Sequence, residues 1–267
     1  MSESIYEQIK KSAGALGISV DDKELALFAE QKALGPAEMD AVFSVIDHLR
    51  EKKEADAVEA LLKMSRMPLK EPKTFEGFDF GHVHSKNMDM LKSLPSMSAL
   101  YARKNIAFIG PQGVGKTHLA LAYGRECCLR GMKTYYLKAS ELNQKLTEAV
   151  KYGRVNSAVN GLVRPTCLII DEIGRCRFDR RCTELFFDIV DRRYDKDCPN
   201  TLIMTSNKSP DKWGEYFDDA DSVLCAMDRI FDNATVFIMK GDSYRGRRLE
   251  TCLVEAGTPA KQASPEK

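Results

Sequence analysis

The run Gly110-Pro111-Gln112-Gly113-Val114-Gly115-Lys116-Thr117 constrains this chain more than any other segment, because of what flanks it. Ahead of it stand the apolar residues Ile106 to Ile109, which read as a buried strand. Behind it His118-Leu119-Ala120-Leu121-Ala122 reads as the start of a helix. A strand that turns through glycines into a helix aims backbone N–H groups and the positive end of a helix dipole at one point, which suits the β- and γ-phosphates of a nucleoside triphosphate such as ATP. Lys116 is then placed to neutralise phosphate charge, and the Thr117 hydroxyl to hold Mg2+.

From residue 105 onward, strand-like apolar runs alternate with helical patterns. Ile106 to Ile109 leads into a helix ending near Gly131. Lys133 to Leu137 is followed by a helix from Ser140, and Thr166 to Ile170 by a helix over roughly Arg180 to Arg193. Thr201 to Thr205 and Thr235 to Met239 complete five strands. Such alternation predicts an α/β fold: a mostly parallel sheet with helices on both faces.

Residues 4 to 66 read differently. Ile5, Ile9, Ala13 and Leu16 recur at helical spacing and stop at Gly17; Leu25, Phe28 and Ala29 stop at Gly35. Pro36 suits the first turn of a third helix with Met39, Val42, Phe43, Ile46 and Leu49 on one face, and a fourth carries Val58, Leu61 and Leu62. The expected organisation is a small all-α domain of three or four helices over 1–66, a linker over 67–104, an α/β domain over 105–250 and a disordered tail over 251–267. Within the linker, Phe75, Phe78 and Phe80 are candidates either for core anchors or for stacking against a base.

Residues 1 to 70 hold ten Lys/Arg against thirteen Asp/Glu, a net −3 in a chain whose total is +1. That acidic segment suits a protein contact better than a polyanion. Eight cysteines occur without a C-x-x-C pair; Cys127, Cys128, Cys167 and Cys225 sit in apolar patterns, as expected of reduced thiols in a cytoplasmic protein. Neither an export signal nor an apolar run of about 18 residues occurs, so no membrane association is expected.

Cys167-Leu168-Ile169-Ile170-Asp171-Glu172 is an apolar strand ending in two carboxylates. At a strand end both can approach the phosphates: Asp171 toward Mg2+, Glu172 toward an attacking water, the general-base role that hydrolysis requires. The next strand ends in Ser206-Asn207, and Asn207 is either a sensor of the γ-phosphate or a turn residue ahead of Ser209-Pro210. Arg229 and Arg245 are candidates to neutralise γ-phosphate charge, with a surface ion pair to Asp228 or Asp232 as the alternative for Arg229.

Phosphate loop, Asp-Glu strand, Asn sensor and late Arg, in that order, resemble the AAA+ ATPases, and within them the IstB-like and DnaC-like helper ATPases. The resemblance rests on Gly110 to Thr117, Leu168 to Gly174, Thr205-Ser206-Asn207, Trp213-Gly214-Glu215, Met227-Asp228-Arg229 and Lys240 to Arg245. It spans about residues 64 to 249. Ser65-Arg66-Met67-Pro68 leading into Lys73-Thr74-Phe75 is similar to the IstB-like proteins, encoded beside transposases in bacterial insertion sequences. The resemblance implies an ATP hydrolase in which Lys116, Glu172, Asn207 and Arg229 are catalytic. The phosphate-loop residues, His118 and Arg245 bind nucleotide, and Arg229 acts as an arginine finger across a subunit interface. After Arg229 only 38 residues remain, too few for the usual separate helical lid, so no such lid is expected.

The resemblance further implies DNA as a partner. Arg175, Arg177, Arg180 and Arg181 follow the acidic strand with only Asp179 opposing them in sequence, and Lys138, Lys145, Lys151 and Arg154 lie on or near the helix from Ser140. These could track backbone phosphates without reading bases, although a charge run also suits a solvated face. The leading expectation is a DNA-dependent, self-associating ATPase that recruits or regulates a transposase through its helical domain. A loader of a replicative helicase shares every nucleotide motif and stands as the alternative. A module that uses nucleotide only as a switch is a third reading.

Overall fold

A computed structural model of the chain describes residues 3–241 and Ser243. Its helical N-terminal part begins with α1 (Ile5–Leu16), started by a reciprocal cap between Ser4 and Glu7 and stopped at Gly17, whose φ of 86° lets the backbone turn left-handed. Helix α2 (Asp22–Gln31) opens with the same device from Asp21 and Glu24. Helix α3 (Pro36–Met64) starts at a proline and runs unbroken for 29 residues, about 44 Å at the standard rise. The expected break between a third and a fourth helix does not exist. Residues 50 to 63 contain neither Gly nor Pro and are mostly Arg, Glu, Lys, Ala and Leu, all strong helix formers. There are thus three helices, with Ile9, Ala29 and Met39 at their centre.

One helix serves two cores. The last turns of α3 carry Leu61 and Leu62 onto the main body, and just beyond it the Ser65 carbonyl accepts the Tyr136 N–H at 2.8 Å. The stretch that follows is far from a bare connector. It contains two 3-10 turns and the short helices α4 (Met88–Lys92) and α5 (Ser98–Tyr101), and it buries Met67, Phe75, Phe78, Val83, Leu91, Leu94, Met97 and Leu100 in the main core.

The sheet holds five parallel strands, β1 (Asn105–Ile109), β2 (Thr134–Lys138), β3 (Cys167–Ile173), β4 (Thr201–Ser206) and β5 (Ala234–Ile238), in the order β2-β3-β4-β1-β5. Side chains alternate between two cores. Ile106, Phe108, Ile169, Ile203 and Phe237 meet α6 (Lys116–Leu129). Ala107, Leu168, Ile170, Leu202 and Met204 face the other way, toward α7 (Ala139–Lys151), α8 (Val155–Val163), α9 (Arg180–Tyr194) and α10 (Ala220–Asp232). Helix α8 is an element the sequence pattern did not mark; Gly161 sits inside it and weakens its signal. Among the described cysteines none is disulfide-bonded, and Cys225, expected in an apolar setting, is exposed on α10. No helix among the described residues is long and apolar enough to cross a membrane.

Candidate nucleotide site

This strand order sets the loop after β1 beside the end of β4, with β3 next in line, so three chain-distant segments meet at one carboxyl edge. Gly115 precedes α6 with φ 93°, and a Cβ there would lie 2.4 Å from Cε2 of Phe78. Only glycine satisfies both conditions. The Lys116 side chain folds back along the loop interior, where Nζ donates to the carbonyls of Gly110 at 2.7 Å and Pro111 at 2.6 Å.

Asp171 is 2% exposed, and hydroxyl groups from three elements surround its carboxylate. Oδ1 accepts from Thr117 Oγ1 at 2.8 Å and also from Thr205 Oγ1, while Oδ2 accepts from the Tyr136 phenol at 3.0 Å. Burial and the neighbouring Asp171 charge push the Tyr136 phenol well up, so it remains a proton donor. The ladder between β3 and β4 shifts register between Ile170 and Ile173, and Glu172 adopts a left-handed backbone with φ 62°. The Thr205 hydroxyl accepts the Glu172 N–H at 3.0 Å, so one side chain holds both acidic residues. The Glu172 carboxylate receives Arg175 Nη1 at 2.6 Å, and Lys138 Nζ stands 4.0 Å away.

These groups open onto a cleft of about 640 Å3. Gln112, Gly113, Gly115, Lys116 and Thr117 line its floor, Glu172, Arg175, Thr205 and Asn207 one wall, and Lys73, Phe78 and Asp79 another. Of the three linker phenylalanines, Phe75 packs edge-on to Tyr123 in the core. Phe78 is buried yet lines the cleft, packed against Phe80 at 4.8 Å and His118 at 5.3 Å. A ring nitrogen of His118 lies 2.8 Å from the Thr74 carbonyl, and burial lowers its basicity. His118 thus ties the linker to α6 while also lining the cleft. The arrangement fits Mg2+ and a triphosphate on two counts: a glycine cradle with a lysine beneath it, and an oxygen-only pair, Thr117 and Asp171, suited to a hard cation.

Asn207 reaches this cleft; Arg229 does not. Arg229 lies on α10, with Nε 2.7 Å from Asp191 Oδ1 and its guanidinium 5.0 Å over the Phe187 ring. It lines a separate cavity of about 270 Å3 at the amino ends of the strands, with Asn105, Arg193 and Asn233. Arg229 forms an ion pair, the alternative reading of this residue, but its partner comes from α9 and is neither Asp228 nor Asp232. Arg245 lies outside the described residues, as does the tail.

The basic run is more heavily opposed than the sequence suggested. Arg175 pairs with Glu172, Arg177 with Asp218 at 3.5 Å, and Arg180 and Arg181 with Glu184 at 3.7 and 2.7 Å. Asp179, the expected counter-charge, caps α9 through Cys182 N–H instead. Lys145 lies 5.8 Å from the Tyr135 ring centre and Lys151 5.4 Å from that of Tyr152, while Arg154 is exposed at the start of α8. Three site residues escaped sequence reasoning in these roles: Tyr136, Thr205 and Arg175 as a partner of Glu172. A hydroxyl at the carboxyl end of β4, two residues before Asn207, was a usable signal for Thr205; Tyr136 offered none beyond ordinary strand preference.

Residues 23–251 match the family described as IstB-like ATP binding protein. The chain is 36% identical over 195 residues to the ATP-binding protein of insertion sequence IS5376 from Geobacillus stearothermophilus, covering 73% of this chain and 76% of that one. It is 32% identical over 243 residues to that of insertion sequence IS232 from Bacillus thuringiensis subsp. berliner, covering 90% and 91%. Among solved structures, DnaI gives a TM-score of 0.53 at 18% identity, over 67% of this chain and 94% of that one. AMPPCP-bound DnaA from Aquifex aeolicus gives 0.52 at 23%, over 64% of this chain and about half, 52%, of that one. Both structural likenesses concern the fold, a five-stranded parallel sheet with helices on both faces, in agreement with the expected class. The phosphate loop, the acidic strand beside it and a sequence match over most of the length lead to one conclusion: the chain belongs to the family of IstB-like ATP-binding proteins.

Proposed function

We propose that this protein is a Mg2+-dependent, DNA-stimulated ATP hydrolase that assembles with ATP on DNA and recruits or regulates a transposase. The observation that carries hydrolysis is the meeting of Lys116, Thr117, Asp171, Glu172 and Asn207 around one cleft. Lys116 offsets charge on the phosphates, Thr117 and Asp171 hold the cation, Glu172 orients the attacking water, and Asn207 responds to the γ-phosphate. Bound Mg2+ supplies charge stabilisation for the leaving and transferring oxygens. Arg229, remote from its own cleft, acts on the nucleotide of a neighbouring subunit. The acidic helices α1 to α3 carry the partner contact, and Lys138, Lys145, Lys151, Arg154, Arg175, Arg177, Arg180 and Arg181 are the candidate DNA contacts.

The relatives are ATP-binding proteins of insertion sequences, which supports a transposase rather than a ring helicase as the partner. Steady-state turnover of the Glu172→Gln protein with saturating ATP and DNA tests the catalytic reading. Loss of turnover with retained ATP binding is expected, and unchanged turnover would favour a module that uses nucleotide only as a switch. Co-purification of the full chain with an insertion-sequence transposase, and separately with a replicative helicase, decides the partner.

A further inference from the structure

Asp171 is a buried carboxylate, and no ion pair among the described residues includes it. Its two oxygens are held by hydroxyls alone, from α6, β4 and β2. Thr117 and Thr205 both converge on Oδ1, and only Tyr136 is bonded to Oδ2. Rotation about the Cβ–Cγ bond moves both oxygens, so a rigid donor on Oδ2 together with the two on Oδ1 holds the carboxylate plane at two points instead of one. Tyr136 is rigid for two reasons. Its ring is buried in the main core, and its backbone lies between two partners, paired in parallel register to Ile169 on one side and donating to the Ser65 carbonyl at 2.8 Å on the other.

We propose that Tyr136 is a positioning residue of the metal site: its phenol sets the plane of the Asp171 carboxylate and thereby presents Oδ1, beside the Thr117 hydroxyl, to the cation. The proposal rests on the reading that Thr117 and Asp171 hold Mg2+. Partners of a ligating carboxylate typically contribute about 10- to 100-fold in metal affinity, and two threonines remain when Tyr136 is altered. The lower end of that range, about 10-fold, is therefore expected.

The test uses the full-length protein and a fluorescent ATP analogue, with binding followed as Mg2+ is titrated from an EDTA baseline. Tyr136→Phe removes one oxygen and keeps the ring. It should raise the half-saturating Mg2+ concentration about 10-fold while leaving analogue affinity in EDTA unchanged. Tyr135→Phe, on the opposite face of β2, should leave both unchanged, and Asp171→Asn should shift the Mg2+ midpoint at least as far as Tyr136→Phe. A wild-type midpoint in Tyr136→Phe, with a shifted one in Asp171→Asn, overturns the role of Tyr136 alone. Equal loss of affinity with and without Mg2+ in Tyr136→Phe also overturns it, because it marks a purely structural effect. No shift in Asp171→Asn sinks the metal reading itself.

Discussion

Arg175 donates from Nη1 to Oε1 of Glu172 at 2.6 Å, so the carboxylate assigned to water activation is engaged by a cation three residues further along the chain. Arg175 is about half exposed, and an ion pair of that kind contributes about 0.2–1 kcal/mol. Arg175→Ala should therefore raise ATP turnover measured without DNA, by up to about 5-fold, the factor that 1 kcal/mol represents. Unchanged or reduced basal turnover would show that the pair does not restrain Glu172.

The Thr205 hydroxyl joins both acidic residues from within β4, and the side chain is 1% exposed. Thr205→Val keeps the shape but leaves the Glu172 N–H without its acceptor and removes one donor from Asp171. Denaturant unfolding should register a loss of about 1–3 kcal/mol. Turnover should fall with it, because the left-handed backbone at Glu172 loses the bond that holds it.

Two left-handed glycines separate backbone strain from steric contact. At Gly131, with φ 75°, a Cβ meets nothing within 4 Å, whereas at Gly115 it would lie 2.4 Å from Phe78. Gly131→Ala should cost about 1–2 kcal/mol and leave ATP affinity intact. Gly115→Ala should abolish ATP binding in a calorimetric titration, since either the loop or Phe78 must move.

Arg229 of α10 is held by Asp191 of α9 at 2.7 Å, away from its own cleft. Arg229→Ala should spare ATP binding and abolish DNA-stimulated turnover. Mixing it with the Glu172→Gln protein should restore part of that turnover if each subunit completes its neighbour's site. Loss of ATP binding in isolated Arg229→Ala subunits would refute action across an interface.

Acid should loosen α1 from α3. Arg50 first, and then the Ser12 hydroxyl at 3.0 Å, holds the Asp47 carboxyl below its ordinary value. A carboxylate depressed in the folded state contributes stability above its unfolded pKa of about 3.9, and that contribution disappears as the pH falls through the lower folded value. Hydrogen exchange of α1 amides, corrected for the intrinsic pH dependence, should therefore gain a step below about pH 4 that Asp47→Asn lacks.

How much was legible beforehand depends on the range of the interaction. Phosphate loop, acidic strand and the five strands were all readable because each is local: glycine geometry at Gly115, a dipole at the start of α6, and side-chain alternation that must match two cores. The family order of motifs was readable for the same reason. Helix α3 was misread as two because a polar stretch interrupts its apolar pattern without interrupting its backbone preference.

Everything that depends on which strands become neighbours was settled only by the tertiary structure. The order β2-β3-β4-β1-β5 brings Tyr136 and Thr205 to Asp171 across 35 and 34 residues of chain, and a tertiary contact sets Asp218 against Arg177, whereas Glu184 meets Arg180 and Arg181 within one turn of α9. Arg229, on the last turn of α10 just ahead of β5, lies at the opposite end of the strands from the cleft. By itself the sequence determined that a triphosphate site would form and where its loop would lie. The long-range pairing of strands, whose contacts carry no local signature, decided which side chains surround Asp171.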